Sequence, residues 1–89
     1  MIKKNTTISN KLGLHARASA KLTKLAGSFP CEVWLSRAER RVNAKSIMGV
    51  MMLAAGMGTE ITLETSGERE QEAMDALLVL IHDKFGEGE

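Results

Sequence analysis

The chain has 89 residues, a formal net charge of +1, a single cysteine and only 3% aromatic side chains. Near-neutral charge without stacking aromatics argues against general nucleic-acid binding, one cysteine excludes an internal disulfide, and no apolar run is long enough to span a membrane. The 44% hydrophobic content fits one domain over residues 1–89, expected to be a cytoplasmic monomer with an aliphatic and methionine core. The start Met1-Ile2-Lys3-Lys4 lacks the apolar stretch of a secretion signal.

Residues 2–8 alternate, with Ile2 and Ile8 on one side and Lys3, Asn5 and Thr7 on the other, which predicts a strand. Residues 10–14 form a loop. A helix is predicted over 16–27, because Ala18, Leu22, Leu25 and Ala26 share one face. Gly27 can end it, and Pro30 blocks its continuation. Cys31, Val33 and Leu35 alternate with Glu32, Trp34 and Ser36 in a second strand. Residues 40–43 return as a third, although the Ala38-Glu39 turn carries no Asn-Gly or Asp-Gly signal. Ser46 is a good N-cap for a short helix over 47–53. Gly56 and Gly58 punctuate a loop, and Ile61 and Leu63 alternate with Thr62 and Glu64 in a fourth strand.

The last helix opens with Glu68, Glu70, Glu72 and Asp75, which suit its positive dipole end. Its apolar stripe is Met74, Leu77, Leu78, Ile81 and Phe85. The tail Gly86-Glu87-Gly88-Glu89 is expected to fray. The order β-α-β-β-α-β-α predicts a two-layer α+β sandwich, with helices on one side of a mixed or antiparallel four-stranded sheet.

The run Gly13-Leu14-His15-Ala16-Arg17-Ala18-Ser19 carries the chemistry. A histidine stands where a glycine-containing loop becomes a helix. Free N–H groups at the helix start, Ala16 and Arg17 among them, and the helix dipole favour an anion there. Arg17 adds a permanently charged fork. A neutral imidazole nitrogen is a competent nucleophile near pH 7. His15 and Arg17 are therefore the candidate reactive pair, and the sequence leaves both ring nitrogens open.

Other features have plainer readings. Ser46 by itself is a helix cap. His82 is a surface or structural side chain near a helix C-terminus, and Cys31 a small buried one. Asn43-Ala44-Lys45-Ser46 lacks the glycines of a P-loop, and Gly56-Met57-Gly58 lacks the third glycine of a dinucleotide site. No nucleotide, metal or other cofactor is expected. Val50 and Leu53 are the inward positions of the short helix. That leaves Ile47, Met48 and Met51 as an exposed soft patch.

Two separated segments, Lys11-Leu12-Gly13-Leu14-His15-Ala16-Arg17 and Val42-Asn43-Ala44-Lys45-Ser46-Ile47-Met48-Gly49-Val50-Met51, resemble the HPr family. Gly58-Thr59-Glu60-Ile61 and Ser66-Gly67 add support. These are the histidine-containing phosphocarriers of the bacterial phosphoenolpyruvate-dependent phosphotransferase system. The resemblance implies an open-faced β-sandwich, a four-stranded antiparallel sheet with three helices on one face. It also implies that His15 receives a phosphoryl group on Nδ1 from enzyme I and passes it to the IIA domains of sugar permeases. The protein would then be a covalent carrier, not an enzyme.

Ser46 would be the regulatory position addressed in part of the family by HPr kinase/phosphorylase. The patch of Ile47, Met48 and Met51 would be the docking surface, with Arg17, Lys24 and Lys45 as its positive rim. Ala18 replaces the proline common in the family, keeps the helix and is expected to leave slightly more freedom around His15; Ser19 replaces a commoner small apolar residue. His15 is expected on a convex surface, ringed by apolar and basic contacts. Three other readings compete: a nitrogen-branch carrier of the same fold, a small metabolite-binding regulatory domain, and a hydrolase with His15 as base. The last has no second catalytic group at a supporting spacing.

Overall fold

Strand alternation decides which face of this sheet is covered. Val33, Leu35, Ile61 and Leu63 are buried, while their neighbours Trp34 and Thr62 remain partly open to solvent. The computed structural model describes residues 1–88, so the last position of the tail, Glu89, lies outside the described residues. The elements are β1 (Ile2–Thr7), α1 (Ala16–Gly27), β2 (Glu32–Arg37), β3 (Arg40–Asn43), α2 (Ile47–Met52), β4 (Glu60–Ser66), α3 (Glu70–His82) and a closing 3-10 turn over Lys84–Gly86. The strands lie in the order β1-β4-β2-β3. Every pairing is antiparallel, so the mixed alternative is removed.

Cross-strand register explains the two faces. Leu35 pairs with Val42 on one side and Leu63 on the other, which makes an apolar row beneath the helices. Leu22 and Ala26 of α1, Val50 of α2, and Met74, Leu77 and Ile81 of α3 close over that row, all fully buried. The opposite face carries Trp34 opposite Glu64, with Lys3 beyond it. Arg41 lies 4.1 Å over the Trp34 ring. It also donates to both Glu64 carboxylate oxygens, Nη2 to Oε2 at 3.1 Å and Nε to Oε1 at 3.3 Å.

The hairpin over residues 40–43 forms as expected, and two other local readings change. The β2–β3 turn carries no strong sequence signal because its support comes from outside it. Arg37 Nη1 donates to the carbonyls of Leu53 and Ala54 at 2.8 and 2.9 Å, and Arg40 Nη1 donates to Met52 O at 2.5 Å. These are carbonyls at and just beyond the C-terminal end of α2, where cations are favoured. The turn residue Ala38 holds a left-handed φ of 53° under that clamp.

The start of α3 also moves. Arg69 adopts a left-handed φ of 63°, so the helix begins at Glu70 and Glu68 stands outside it. Glu70 Oε1 accepts the Gly67 N–H at 2.9 Å, a reach-back that stabilises the entry. At the far end Phe85 is fully buried, as its place in the stripe requires, but it is not helical. Lys84 and Phe85 both take left-handed φ, 55° and 56°, and turn the chain back toward α1.

The Arg41 hydrogen bonds hold the Glu64 carboxyl below the usual carboxylate range against the opposing effect of burial, and the charges of Arg41 and Lys3 assist. A carboxylate more acidic in the folded than in the unfolded chain adds stability above its unfolded pKa. That contribution disappears as pH falls through the folded value. Glu64→Gln should therefore lower the melting temperature at pH 7 by about 4–8 °C, equivalent to about 1 kcal/mol. The melts of the two proteins should converge once the pH has fallen below the depressed Glu64 value, where both side chains are uncharged. Equal melting temperatures at pH 7 would remove the ion pair from the fold's stability.

Candidate functional site

The loop between β1 and α1 is shaped by one close backbone approach. Gly13 has φ +67°, and a Cβ built there would meet Ala55 O at 2.5 Å and Gly56 Cα at 2.6 Å. Only glycine satisfies both the conformation and the space. The approach lets Leu14 N–H donate to Ala55 O at 2.8 Å, which ties the loop to the segment after α2. Inside the loop, Gly13 N–H donates to Asn10 O at 3.2 Å. The buried Ser19 hydroxyl donates to Leu14 O at 3.0 Å, so the residue at this departure from the family pattern has a bonding role here. Ala18 is fully buried in the first turn of α1.

His15 is therefore delivered to the N-cap of α1 in extended conformation, φ −75° and ψ −179°. Its carbonyl accepts the Ser19 N–H at 2.8 Å. Its ring Nδ1 faces the Arg17 N–H at 3.3 Å, the place usually taken by a Ser or Asp oxygen. The imidazole lone pair thus points into the amide-rich mouth of the helix. The N–H groups of Ala16, Arg17 and Ala18 make up the first turn, which offers no intrahelical acceptors. Arg17 is exposed, and it lines the same cleft as His15 and Ala16.

The other ring nitrogen has a partner absent from the sequence reading. Nε2 lies 2.5 Å from Glu87 Oε2, and the second carboxylate oxygen of Glu87 accepts from Asn10 Nδ2 at 3.0 Å. Asn10 Nδ2 also donates to Gly13 O at 2.8 Å. Both neighbours of this amide are acceptors, so its NH2 orientation is fixed. Its buried Oδ1 has no partner among the described residues. Lys21 Nζ donates to Phe85 O at 2.6 Å and secures the strand of tail that carries Glu87. The Asn10 hydrogen bond holds the Glu87 carboxyl below the usual carboxylate range; desolvation opposes it, and the His15 bond and the charges of His15 and Lys21 assist.

Two expectations are corrected here. Far from fraying, the tail as far as Gly88 includes an ordered turn at Lys84–Gly86 and a carboxylate seated on the ring. His15 does not stand on an open convex surface. Its side chain is 29% exposed, in a shallow cleft bounded by Leu12, Arg17, Lys21, Gly86 and Glu87. The signals for this were faint: an asparagine in the loop, a lysine one turn along α1, and glycines flanking Glu87.

The second cluster lies on α2. Ser46 caps the helix, its Oγ accepting from Gly49 N–H at 3.3 Å, and it is exposed. Val50 and Leu53 are buried, while Ile47, Met48 and Met51 are 40%, 68% and 40% exposed. Met52, at 60%, extends the patch. Lys45 is exposed beside it, although its Nζ donates to Phe29 O at 2.8 Å. Lys24 lines a groove with Lys21 and Leu25 of α1, Ser28 just past it and Leu80 of α3.

The family model for the PTS HPr component phosphorylation site matches residues 2–83. The chain is 70% identical over 89 residues, the whole of both sequences, to phosphocarrier protein HPr of Cupriavidus necator. It is 60% identical over 89 residues, again the whole of both, to phosphocarrier protein HPr of Neisseria meningitidis. Among solved structures, HPr-C-His from Thermoanaerobacter tengcongensis superposes with a TM-score of 0.95 at 42% identity, covering 98% of each chain.

The Gly13 approach generates a stability test. Gly13→Ala should cost at least about 1–3 kcal/mol in urea unfolding, through left-handed strain and collision with rigid backbone. Gly27→Ala is the control, because a Cβ there meets nothing within 4 Å. It should be neutral or stabilising by up to about 1 kcal/mol. Equal effects of the two substitutions would show that the Gly13 approach does not shape the loop.

Proposed function

The chain belongs to the HPr family of phosphotransferase-system phosphocarriers, and on that premise we propose that His15 is the residue that carries the phosphoryl group, on Nδ1. The single observation that carries this reading is the imidazole acting as N-cap of α1, with Nδ1 toward the Arg17 N–H and Nε2 against Glu87. A donor at one nitrogen and a carboxylate at the other favour the tautomer with its proton on Nε2 and its lone pair on Nδ1. That lone pair is the nucleophile.

In the proposed transfer, the Nδ1 lone pair forms a bond to phosphorus as the bond from phosphorus to the donor breaks. The leaving electron pair returns to the donor, and the Nε2 proton stays in place. The transition state is loose and in line, so positioning and charge stabilisation do most of the work. Phosphoryl oxygens would take over the first-turn N–H groups, including those of Ala16 and Arg17, and the Arg17 guanidinium would add a forked donor. The helix end contributes about 0.3–1 kcal/mol when exposed. A charge-assisted arginine bond adds about 1.5–3 kcal/mol. Together these orient the group without trapping it, as a carrier must.

Enzyme I is the proposed donor and sugar-permease IIA domains the proposed acceptors, docking through Ile47, Met48 and Met51 with Arg17 and Lys45 nearby. Flexible methionines suit a surface that serves several partners. Ser46 is the proposed regulatory site, addressed by HPr kinase/phosphorylase. A phosphate at this N-cap suits the helix dipole and leaves the fold intact. It would place about two negative charges beside the docking surface.

Incubation with phosphoenolpyruvate and enzyme I, followed by mass spectrometry, tests the assignment. The expected result is one acid-labile phosphoryl group at His15 and none on His15→Ala; labelling of the alanine variant elsewhere in equal yield would overturn it. Arg17→Ala should slow acceptance roughly ten- to a hundredfold at unchanged melting temperature. Ser46→Asp should fold normally and accept phosphate from enzyme I roughly tenfold more slowly; equal kinetics would remove Ser46 from regulation. Running the same assay with a nitrogen-branch enzyme I separates the two carrier branches, and the general enzyme is expected to be the better donor.

A further inference from the structure

The tail carboxylate sits where no feature of the loop or of α1 requires it. Glu87 is 72 residues from His15 in sequence, yet its Oε2 meets Nε2 at 2.5 Å. Three anchors bring it there. Phe85 is fully buried, Lys21 Nζ donates to Phe85 O at 2.6 Å, and the left-handed turn at Lys84 and Phe85 reverses the chain. Among the described residues each carboxylate oxygen then has one partner, Asn10 Nδ2 for Oε1 and the ring for Oε2. The Glu87 side chain is only 14% exposed. It therefore offers little surface to an approaching partner.

We propose that Glu87 is a positioning residue for phosphoryl transfer at His15, acting through Nε2 to hold the ring orientation and tautomer that present the Nδ1 lone pair. This rests on the reading of His15 as the phosphoryl carrier. As Nδ1 donates its electron pair to phosphorus, positive charge develops on the ring. The carboxylate opposite stabilises that charge through the Nε2 proton, which it accepts as a hydrogen bond and does not remove. The ring nitrogens are on opposite sides, so the carboxylate lies away from the incoming phosphoryl oxygens. It supports the charge of the ring more than it repels that of the phosphate. Asn10 acts one step further back, aligning Glu87 by giving its second amide hydrogen to Oε1.

The roles of the two oxygens predict distinct consequences. Glu87→Ala removes both the charge and the hydrogen bond. Glu87→Gln removes the charge and keeps one acceptor oxygen, which can still face the ring N–H, while its NH2 replaces the oxygen that accepts from Asn10. Neither change alters the partner-facing surface much, so the defect should fall on kcat with KM for enzyme I nearly constant.

The test measures three quantities on the full chain carrying Glu87→Ala or Glu87→Gln, with the unsubstituted protein alongside. They are the 15N resonances of the His15 ring, the kcat and KM of acceptance from enzyme I and phosphoenolpyruvate, and the hydrolysis rate of the phosphorylated product. For Glu87→Ala the expected results are a mixed tautomer signature, a kcat lowered roughly tenfold or more at constant KM, and faster hydrolysis. Glu87→Gln should keep the tautomer signature and recover only part of kcat. If both variants match the unsubstituted protein in kcat and ring signature, the positioning role is overturned while the carrier reading stands. If the unsubstituted protein itself takes no label at His15, the carrier reading fails and the positioning role falls with it. A fall in melting temperature with unchanged kcat and tautomer would mean that Glu87 only fastens the tail, and would likewise overturn the proposal.

Discussion

The hydrogen bond from Leu14 N–H to Ala55 O, made possible by the bare backbone of Gly13, decides where the imidazole goes. It joins the loop before α1 to the segment after α2, two regions that local propensity leaves independent. Once that loop is seated, His15 must cap α1, and the ring has few orientations left. A cap normally uses a hydroxyl or carboxylate oxygen. Here a nitrogen lone pair occupies the place, at a longer 3.3 Å from the Arg17 N–H. A weak cap leaves the helix mouth able to accept a better anion.

The surroundings of the ring balance attraction against release. Arg17 and the first-turn amides favour an anion, and Lys21 lines the same cleft. Glu87 sits on the other ring nitrogen, away from that anion-favouring mouth. A site with more uncompensated cations would bind a phosphoryl group more firmly and return it more slowly. The apolar patch on α2 is separate from this polarity. Its side chains are soft and exposed, while Val50 beneath them is fully buried and keeps the helix in place.

Much of the chain's positive charge has structural work. Arg37 and Arg40 close the C-terminal end of α2, and Arg41 stacks on Trp34 while bonding Glu64. A sequence reading assigns most such charges to solvated surface. The structure gives these three arginines definite partners, and Arg37 and Arg40 support the exposed methionine patch through α2. Lys24 lines a groove between α1 and α3. A helix of twelve residues presents cations in several directions, and only packing tells which direction meets which neighbour.

What the amino-acid sequence determined by itself lies within short spans. Alternation over 31–36 and 61–64, the stripe of α1, the Ser46 cap and the His15–Arg17 pair all depend on partners a few residues away. Backbone geometry makes those relations local. Tertiary structure decided the rest. Ile81 and Phe85 share helical spacing, yet the left-handed turn at Lys84 and Phe85 ends that pattern and sends Glu87 back to the ring. A contact across 72 residues leaves no periodic trace in the chain, because it depends on where α1, α3 and the β1–α1 loop come to rest against one another. For the same reason the sequence left both imidazole nitrogens open, while the folded protein gives each a different neighbour.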